Sequence, residues 1–415
     1  MRFNTGLLHA GRQGSYDKGA TQVPVYQSSA FAQESAERLE KIFAGTAPGF
    51  CYTRVANPTV TAFEERMTWL EGGRASIAAA SGMAAIFNGV CGMLTAGDEI
   101  IATTGLYGGT MDLFRDLEAF DIHVNYVDNI DAATLDQAVS EHTKLIFAET
   151  IGNPKLNVLD IREAAEAAHA HGLPLMIDNT AATAYLIRPI ALGADYVINS
   201  TSKYVNGSSN SISGVLTDAG TFRFDPEKYP ALAPYRKYGP MAYTAKLRET
   251  LYRNTGASLA PMNAYLNLLG METLGLRMER ICQTAYRLAE WFVQCKEVAA
   301  VNYPGLSDSP WHVTAKEQFE QKGYGGLLTI RLGTKQRAYE TANRLQYATE
   351  VSNIGDARTL VLHPDSTIFA HNTPEEKIAA GVYEDQLRIS VGLEDAEDLI
   401  EDFAQALQAD ETQNS

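Results

Sequence analysis

The chain has 415 residues, 45% hydrophobic and 20% charged, enough for a sizeable core in about two or three domains. A formal charge of −16 with no basic stripe argues against a nucleic-acid binder. The four cysteines, Cys51, Cys91, Cys282 and Cys295, form no CxxC pair and fit a reducing, cytoplasmic compartment better than a disulfide framework.

Taken in chain order, the first sixty residues are irregular and punctuated by Pro and Gly, and read as an arm that needs a partner surface to become ordered. The opening MRFNTGLLHAGRQGS lacks the apolar core of a signal peptide. The uncharged stretch 75–97 is long enough to span a bilayer, but Gly82, Gly89, Gly92, Ser81 and Asn88 make it a poor lipid-facing segment. It reads as a buried helix, with no membrane partner implied. From about 98 to 200, short apolar runs at 99–102, 122–127, 144–148, 173–177 and 194–198 alternate with helical patterns such as 161–171. That rhythm predicts βαβ units around a mostly parallel sheet with helices on both faces.

The segment 220–240, rich in Pro, Tyr and charge, reads as a boundary or surface insertion. A long helical region over about 261–296 bridges to a C-terminal domain with strands at 327–332 and 386–391 and a closing helix at 394–407.

Ligands of such sheets sit beyond the carboxyl ends of the strands, so the polar residues there are the candidates. Four stand out: Asp178 after LPLMI, Lys203 in NSTSKYVNG, Asn153 in ETIGNP and Tyr107 in LYGGT. Singly, each has an ordinary explanation: a solvated loop lysine, an Asx turn, a glycine turn. Jointly they match one ligand, pyridoxal 5′-phosphate (PLP). Its ring nitrogen calls for an anion, its aldehyde for a lysine, its face for an aromatic, and its phosphate for a helix start and hydroxyls. Ser81-Gly82-Met83 opens a helix, and Ser200 and Ser202 flank the lysine. No HExxH pattern occurs, and His169 and His171 lie on different faces of a predicted helix, so no metal is expected.

The sequence also resembles the Cys/Met-metabolism family of PLP enzymes, nearly end to end. The resemblance runs through TQVPVYQSSAF (21–31), YTRVANPT (52–59), ASGMAAI (80–86), LYGGT (106–110), ETIGNP (149–154), IDNTAAT (177–183), NSTSKYVNG (199–207), METLGLRMER (271–280), NIGDARTLVLHPDST (353–367) and RISVGLED (388–395). It implies the type I PLP-dependent transferase (aspartate aminotransferase-like) fold. The implied units are an arm over 1–60 that completes the neighbouring subunit's site, a PLP-binding domain over 61–258, and a smaller α+β domain over 259–415.

Residue roles follow from the same resemblance. Tyr52 and Arg54 reach the phosphate of a neighbouring subunit's PLP, while Gly82, Met83, Ser200 and Ser202 hold it within the subunit. Tyr107 stacks on the ring, Asn153 sits near its phenolic oxygen, Asp178 pairs with its nitrogen, and Lys203 bonds its aldehyde. Arg388 clamps the substrate carboxylate, assisted by Ser352 and Asn153. The catalytic set is Lys203, Tyr107 and Asp178, in a homodimer or homotetramer.

Within the family, the chain looks most like the O-acetylhomoserine sulfhydrylases, which implies γ-replacement by sulfide or a thiol to give homocysteine or methionine. The alternatives are a γ-lyase that gives 2-oxobutyrate and ammonia, and a catalytically silent PLP-binding regulator. The chain departs from the family pattern at Ser208-Ser209-Asn210 after the lysine block, in the stretch from Asp365 through Ile368-Phe369-Ala370-His371, and at Ala184, where many members have Pro.

Overall fold

Four of the five apolar runs become strands because each can bury both of its faces; the run at 122–127 forms the sheet's partly exposed edge. In the computed structural model, which describes residues 1–11 and 19–408, side chains alternate between two separate cores. Ile100, Leu145, Phe147, Met176 and Ile198 enter one core; Ile101, Ile146, Ala148, Ile177 and Val197 enter the other. Seven strands form this sheet: β1 (Ala75–Ala79), β2 (Glu99–Thr103), β3 (His123–Val127), β4 (Thr143–Glu149), β5 (Leu175–Asp178), β6 (Tyr196–Asn199) and β7 (Gly214–Asp218). Their order is β1-β7-β6-β5-β4-β2-β3. The block from β6 to β3 is parallel, and β7 is antiparallel to both β6 and β1.

A second sheet has five strands: β8 (Ala300–Asn302), β9 (Leu327–Arg331), β10 (Thr349–Glu350), β11 (Leu360–Leu362) and β12 (Gln386–Ser390), in the order β10-β11-β12-β9-β8. Helices Leu274–Gln294 and Ala396–Leu407 cover it, with Phe292 and Phe403 edge-to-face at 5.1 Å.

Two sequence expectations are corrected, and one strand was not anticipated. The stretch 75–97 is not one buried helix but β1 followed by helix Gly82–Cys91. Apolar content alone does not separate a buried strand from a buried helix. The break comes at Ser81, which is extended and whose hydroxyl accepts the Ala84 N–H at 3.0 Å as an N-cap. Strand β7 was not anticipated; it follows a polar Ser/Asn stretch and is fully buried. The long helical region over 261–296 consists of two helices, Pro261–Glu272 and Leu274–Gln294, broken at Thr273.

The first sixty residues are also more ordered than expected. They carry helices Phe3–His9 and Ala36–Phe43, and helix Pro58–Glu71 begins there, capped by Asn57. Leu7 and Val23 are buried in this chain's own core. The parts of the arm and of the C-terminal unit at 12–18 and 409–415 lie outside the described residues. Among the described residues no helix is long and apolar enough to cross a membrane.

Candidate active site

Three neighbouring strands end in the residues that make the site. Glu149 closes β4, Asp178 closes β5 directly beside it in register, and Lys203 lies in the turn that leaves β6. Tyr107 precedes helix Gly108–Leu117. Arg388 comes from β12, so the second sheet contributes the fifth group. These five line one cavity of about 220 Å³ together with Gly82, Met83, Asn153, Ser200, Ser202 and Ser352.

Close packing holds the cradle. A Cβ at Gly82 would lie 2.6 Å from the Ser200 Cβ, so the helix start and the β6 exit touch only because this residue is glycine. The Ser202 hydroxyl accepts the Ser213 N–H at 2.8 Å and donates to its carbonyl at 3.0 Å. The Thr180 hydroxyl accepts the Ser200 N–H at 2.8 Å.

The charges are unbalanced in a way that calls for a ligand. Burial pushes the Asp178 carboxyl up to about 6, against the opposing hydrogen bonds from Thr180. Burial, and then the Asp178 charge, pushes Glu149 well above the carboxylate range. Among the described residues neither carboxylate pairs with a cationic side chain. Glu149 spends its Oε1 on the Tyr107 N–H at 2.7 Å, which leaves Asp178 to meet a cation in the cavity.

Arg388 is 3% exposed and donates to Asn153 Oδ1 at 3.0 Å and the Asn353 carbonyl at 3.1 Å. Its Nε has no hydrogen-bond partner among the described residues, and burial pushes the guanidinium down to about 10. Burial, then the Arg388 charge, pushes Lys203 down to about 8. An amine, an anion for a ring nitrogen, and a cation for a carboxylate therefore share one cavity, and PLP with an amino acid fits that donor set.

Tyr52 and Arg54 do not line this cavity. Tyr52 is 43% exposed, and the Arg54 guanidinium lies 5.3 Å from its ring while donating to the Arg253 carbonyl. Ser352 reaches the cavity wall, but it is Asn353 beside it that contacts Lys203 and Arg388. Sequence reasoning also passed over Glu149, Thr180 and Glu71. Glu149 and Thr180 stood in the quoted ETIGNP and IDNTAAT blocks, whereas Glu71 carried no local signal.

Glu71 ends helix Pro58–Glu71, fully buried behind the site. It accepts from Asn199 Nδ2 at 2.7 Å and from Asn179 Nδ2 at 3.4 Å, and so ties the ends of β6 and β5 together. Burial raises its carboxyl to about 7. An acid whose folded pKa is raised costs nothing below its unfolded pKa of 4.5, and the cost grows as pH climbs from there to about 7. Glu71→Gln is therefore expected to raise stability at about pH 8 by on the order of 2 kcal/mol, and by little at about pH 4. Thermal unfolding at the two pH values checks it. Equal gains at both would remove the titration as the cause.

A lysine and an acid at neighbouring parallel strand ends, faced by an arginine from the second sheet, make the site of a PLP-dependent enzyme. The sequence profile of the Cys/Met metabolism PLP-dependent enzymes matches residues 4–408. The chain is 38% identical to the homocysteine synthase of Schizosaccharomyces pombe, over 98% of this chain and 98% of that one. It is 39% identical to the O-acetyl-L-homoserine sulfhydrylase of Corynebacterium glutamicum, over 97% and 95%. A crystal structure from Campylobacter jejuni, assigned as an O-acetylhomoserine (thiol)-lyase and carrying N′-pyridoxyl-lysine-5′-monophosphate, superposes with a TM-score of 0.94. The identity there is 31%, covering 99% of this chain and 100% of the other. The chain belongs to the Cys/Met metabolism PLP-dependent enzyme family, with its type I transferase fold and its cofactor.

Proposed function

We propose that the chain catalyses γ-replacement on an O-acylhomoserine, O-acetyl-L-homoserine foremost, with sulfide or a thiol, giving homocysteine or methionine. The observation that carries it is the buried, incompletely satisfied Arg388 beside Lys203, a clamp for a substrate α-carboxylate within reach of an amine base. The names of the sulfhydrylase and homocysteine synthase relatives support the acyl donor and the product.

PLP, when bound, supplies an electron sink that makes the α- and β-protons of the amino acid removable. Asp178 holds its ring nitrogen protonated; Gly82, Met83, Ser200 and Ser202 hold its phosphate, and Tyr107 covers the ring. Arg388, with Asn153 and the Ser352-Asn353 segment, fixes the substrate carboxylate. Lys203 Nζ takes the α-proton and, with Tyr107, the β-proton, after which the γ-acyloxy group leaves as a carboxylate. Sulfide or a thiol then bonds to Cγ and the protons return to Cβ and Cα.

Helix Ala36–Phe43 buries none of its residues, and Phe43 is 59% exposed. That supports an arm, over 1–60, that completes a partner's site through Tyr52 and Arg54. The working unit is then a homodimer, assembled to a homotetramer in the cytoplasm, with the large and C-terminal domains meeting near residue 258.

The test is a substrate panel read by product. O-acetyl-L-homoserine with sulfide is expected to give homocysteine. Methionine alone yielding 2-oxobutyrate and ammonia as the main reaction would replace this reading with a γ-lyase. Arg388→Ala is expected to cost about 2–4 kcal/mol in kcat/KM, mostly as a higher KM for the amino acid. An unchanged KM would remove Arg388 as the clamp.

A further inference from the structure

The segment Ser208–Asn210 lies next to the lysine turn. The Lys203 ammonium donates to Asn353 Oδ1. Asn353 Nδ2 donates to the Ser209 hydroxyl at 2.9 Å. The Ser209 hydroxyl donates in turn to Asp356, which is 5% exposed. Every donor in this series points away from the lysine and the series ends on a carboxylate.

The direction is forced. A reversed Asn353 amide would set its N–H groups against the ammonium and its oxygen against a hydroxyl already committed to Asp356. Two backbone features hold the chain together. Ser209 adopts φ 51, a left-handed conformation uncommon for a residue with a side chain. Gly355, at φ +74, has no Cβ; one there would lie 2.5 Å from the Tyr204 backbone nitrogen, so glycine lets the Asn353–Asp356 segment run against the lysine turn.

We propose that Asp356 and Ser209, acting through Asn353, are positioning residues that hold the free Lys203 amino group in place and stabilise its proton. The proposal rests on the reading of Lys203 as the cofactor-bonding amine. It concerns the interval in which that amine is unbonded, which recurs whenever substrate takes its place.

Other charges also act on Lys203. Arg388, from β12, opposes its protonation, as does burial; together they push it down to about 8. Asp178 from β5 and Glu149 from β4 face the same cavity, with Tyr107 at the helix start and Tyr204 buried behind the turn. Asp356 differs in being bonded to the ammonium through an unbroken series of hydrogen bonds. Its second oxygen accepts the Arg358 N–H at 2.9 Å, which keeps the carboxylate aimed at Ser209.

The test measures the lysine rather than turnover. Full-length wild type, Ser209→Ala and Asp356→Asn are stripped of cofactor. The rate at which each captures added PLP is then followed by visible absorbance from about pH 6 to about pH 9.5. Capture joins the unprotonated Nζ to the aldehyde carbon and releases water, so its pH profile reports the protonation of Lys203. Without the carboxylate end the cation loses support, and both variants are expected to shift the profile down by about half to one unit. Thermal unfolding confirms that each variant is folded. If Ser209→Ala is not, because of its backbone conformation, Asp356→Asn decides. A folded Asp356→Asn with the wild-type profile, or one shifted upward, overturns the proposal. Wild type that captures no PLP at Lys203 instead overturns the lysine assignment on which it rests.

Discussion

Lys203→Ala is expected to abolish the visible absorbance of the bonded cofactor and to lower kcat at least about a thousand-fold, on the order of 4 kcal/mol. Among the described residues the cavity has no second lysine along its walls, so none of them can take over the aldehyde. On the proposed mechanism the substitution removes two roles together: the covalent anchor, and the base that moves protons at Cα and Cβ. Burial holds the amine near 8, where a useful fraction is unprotonated at neutral pH, and an exposed lysine elsewhere would not reproduce that balance. A variant that kept both its absorbance and its turnover would move the catalytic amine to another residue.

Asp178→Asn should behave differently, because it leaves Lys203 and the covalent anchor intact. The absorbance of the bonded cofactor is expected to persist, while kcat falls by about 3–5 kcal/mol, more than a hundred-fold. The reason lies in the pairing across β4 and β5. Two carboxyls stand side by side in a buried site, both raised by burial, and a ring cation relieves only the one it touches. Glu149 is occupied by the Tyr107 N–H, so it keeps the aromatic cover in place and is not free to replace its neighbour. A loss of less than about ten-fold would assign the counter-charge to Glu149 instead.

The central parallel strands were legible because their residues are apolar on both faces, a pattern that depends only on local order. The residues just beyond them were legible for the complementary reason, since Asp178 and Lys203 are polar where the strand pattern demands none. Strand β7 was not, because its burial depends on pairing antiparallel with β6 across a polar turn and with β1, which lies far back in the sequence. Glu71 was hidden for the same reason. Nothing near it in sequence shows that Asn179 and Asn199, more than a hundred residues on, close over its carboxyl.

The sequence by itself pointed to the cofactor class, the lysine and the acid, two charges that an apolar strand end tolerates only with a partner. The arginine came only from the family resemblance of the RISVGLED block, since it stands inside a strand. Only the tertiary structure decided which neighbours act on them. Asn353 rather than Ser352 meets the lysine, Glu149 fixes Tyr107, and Ser209 links Asn353 to Asp356. Those contacts join segments some 40 to 150 residues apart, where hydrogen-bond direction and burial arise from packing and leave no mark on the local sequence.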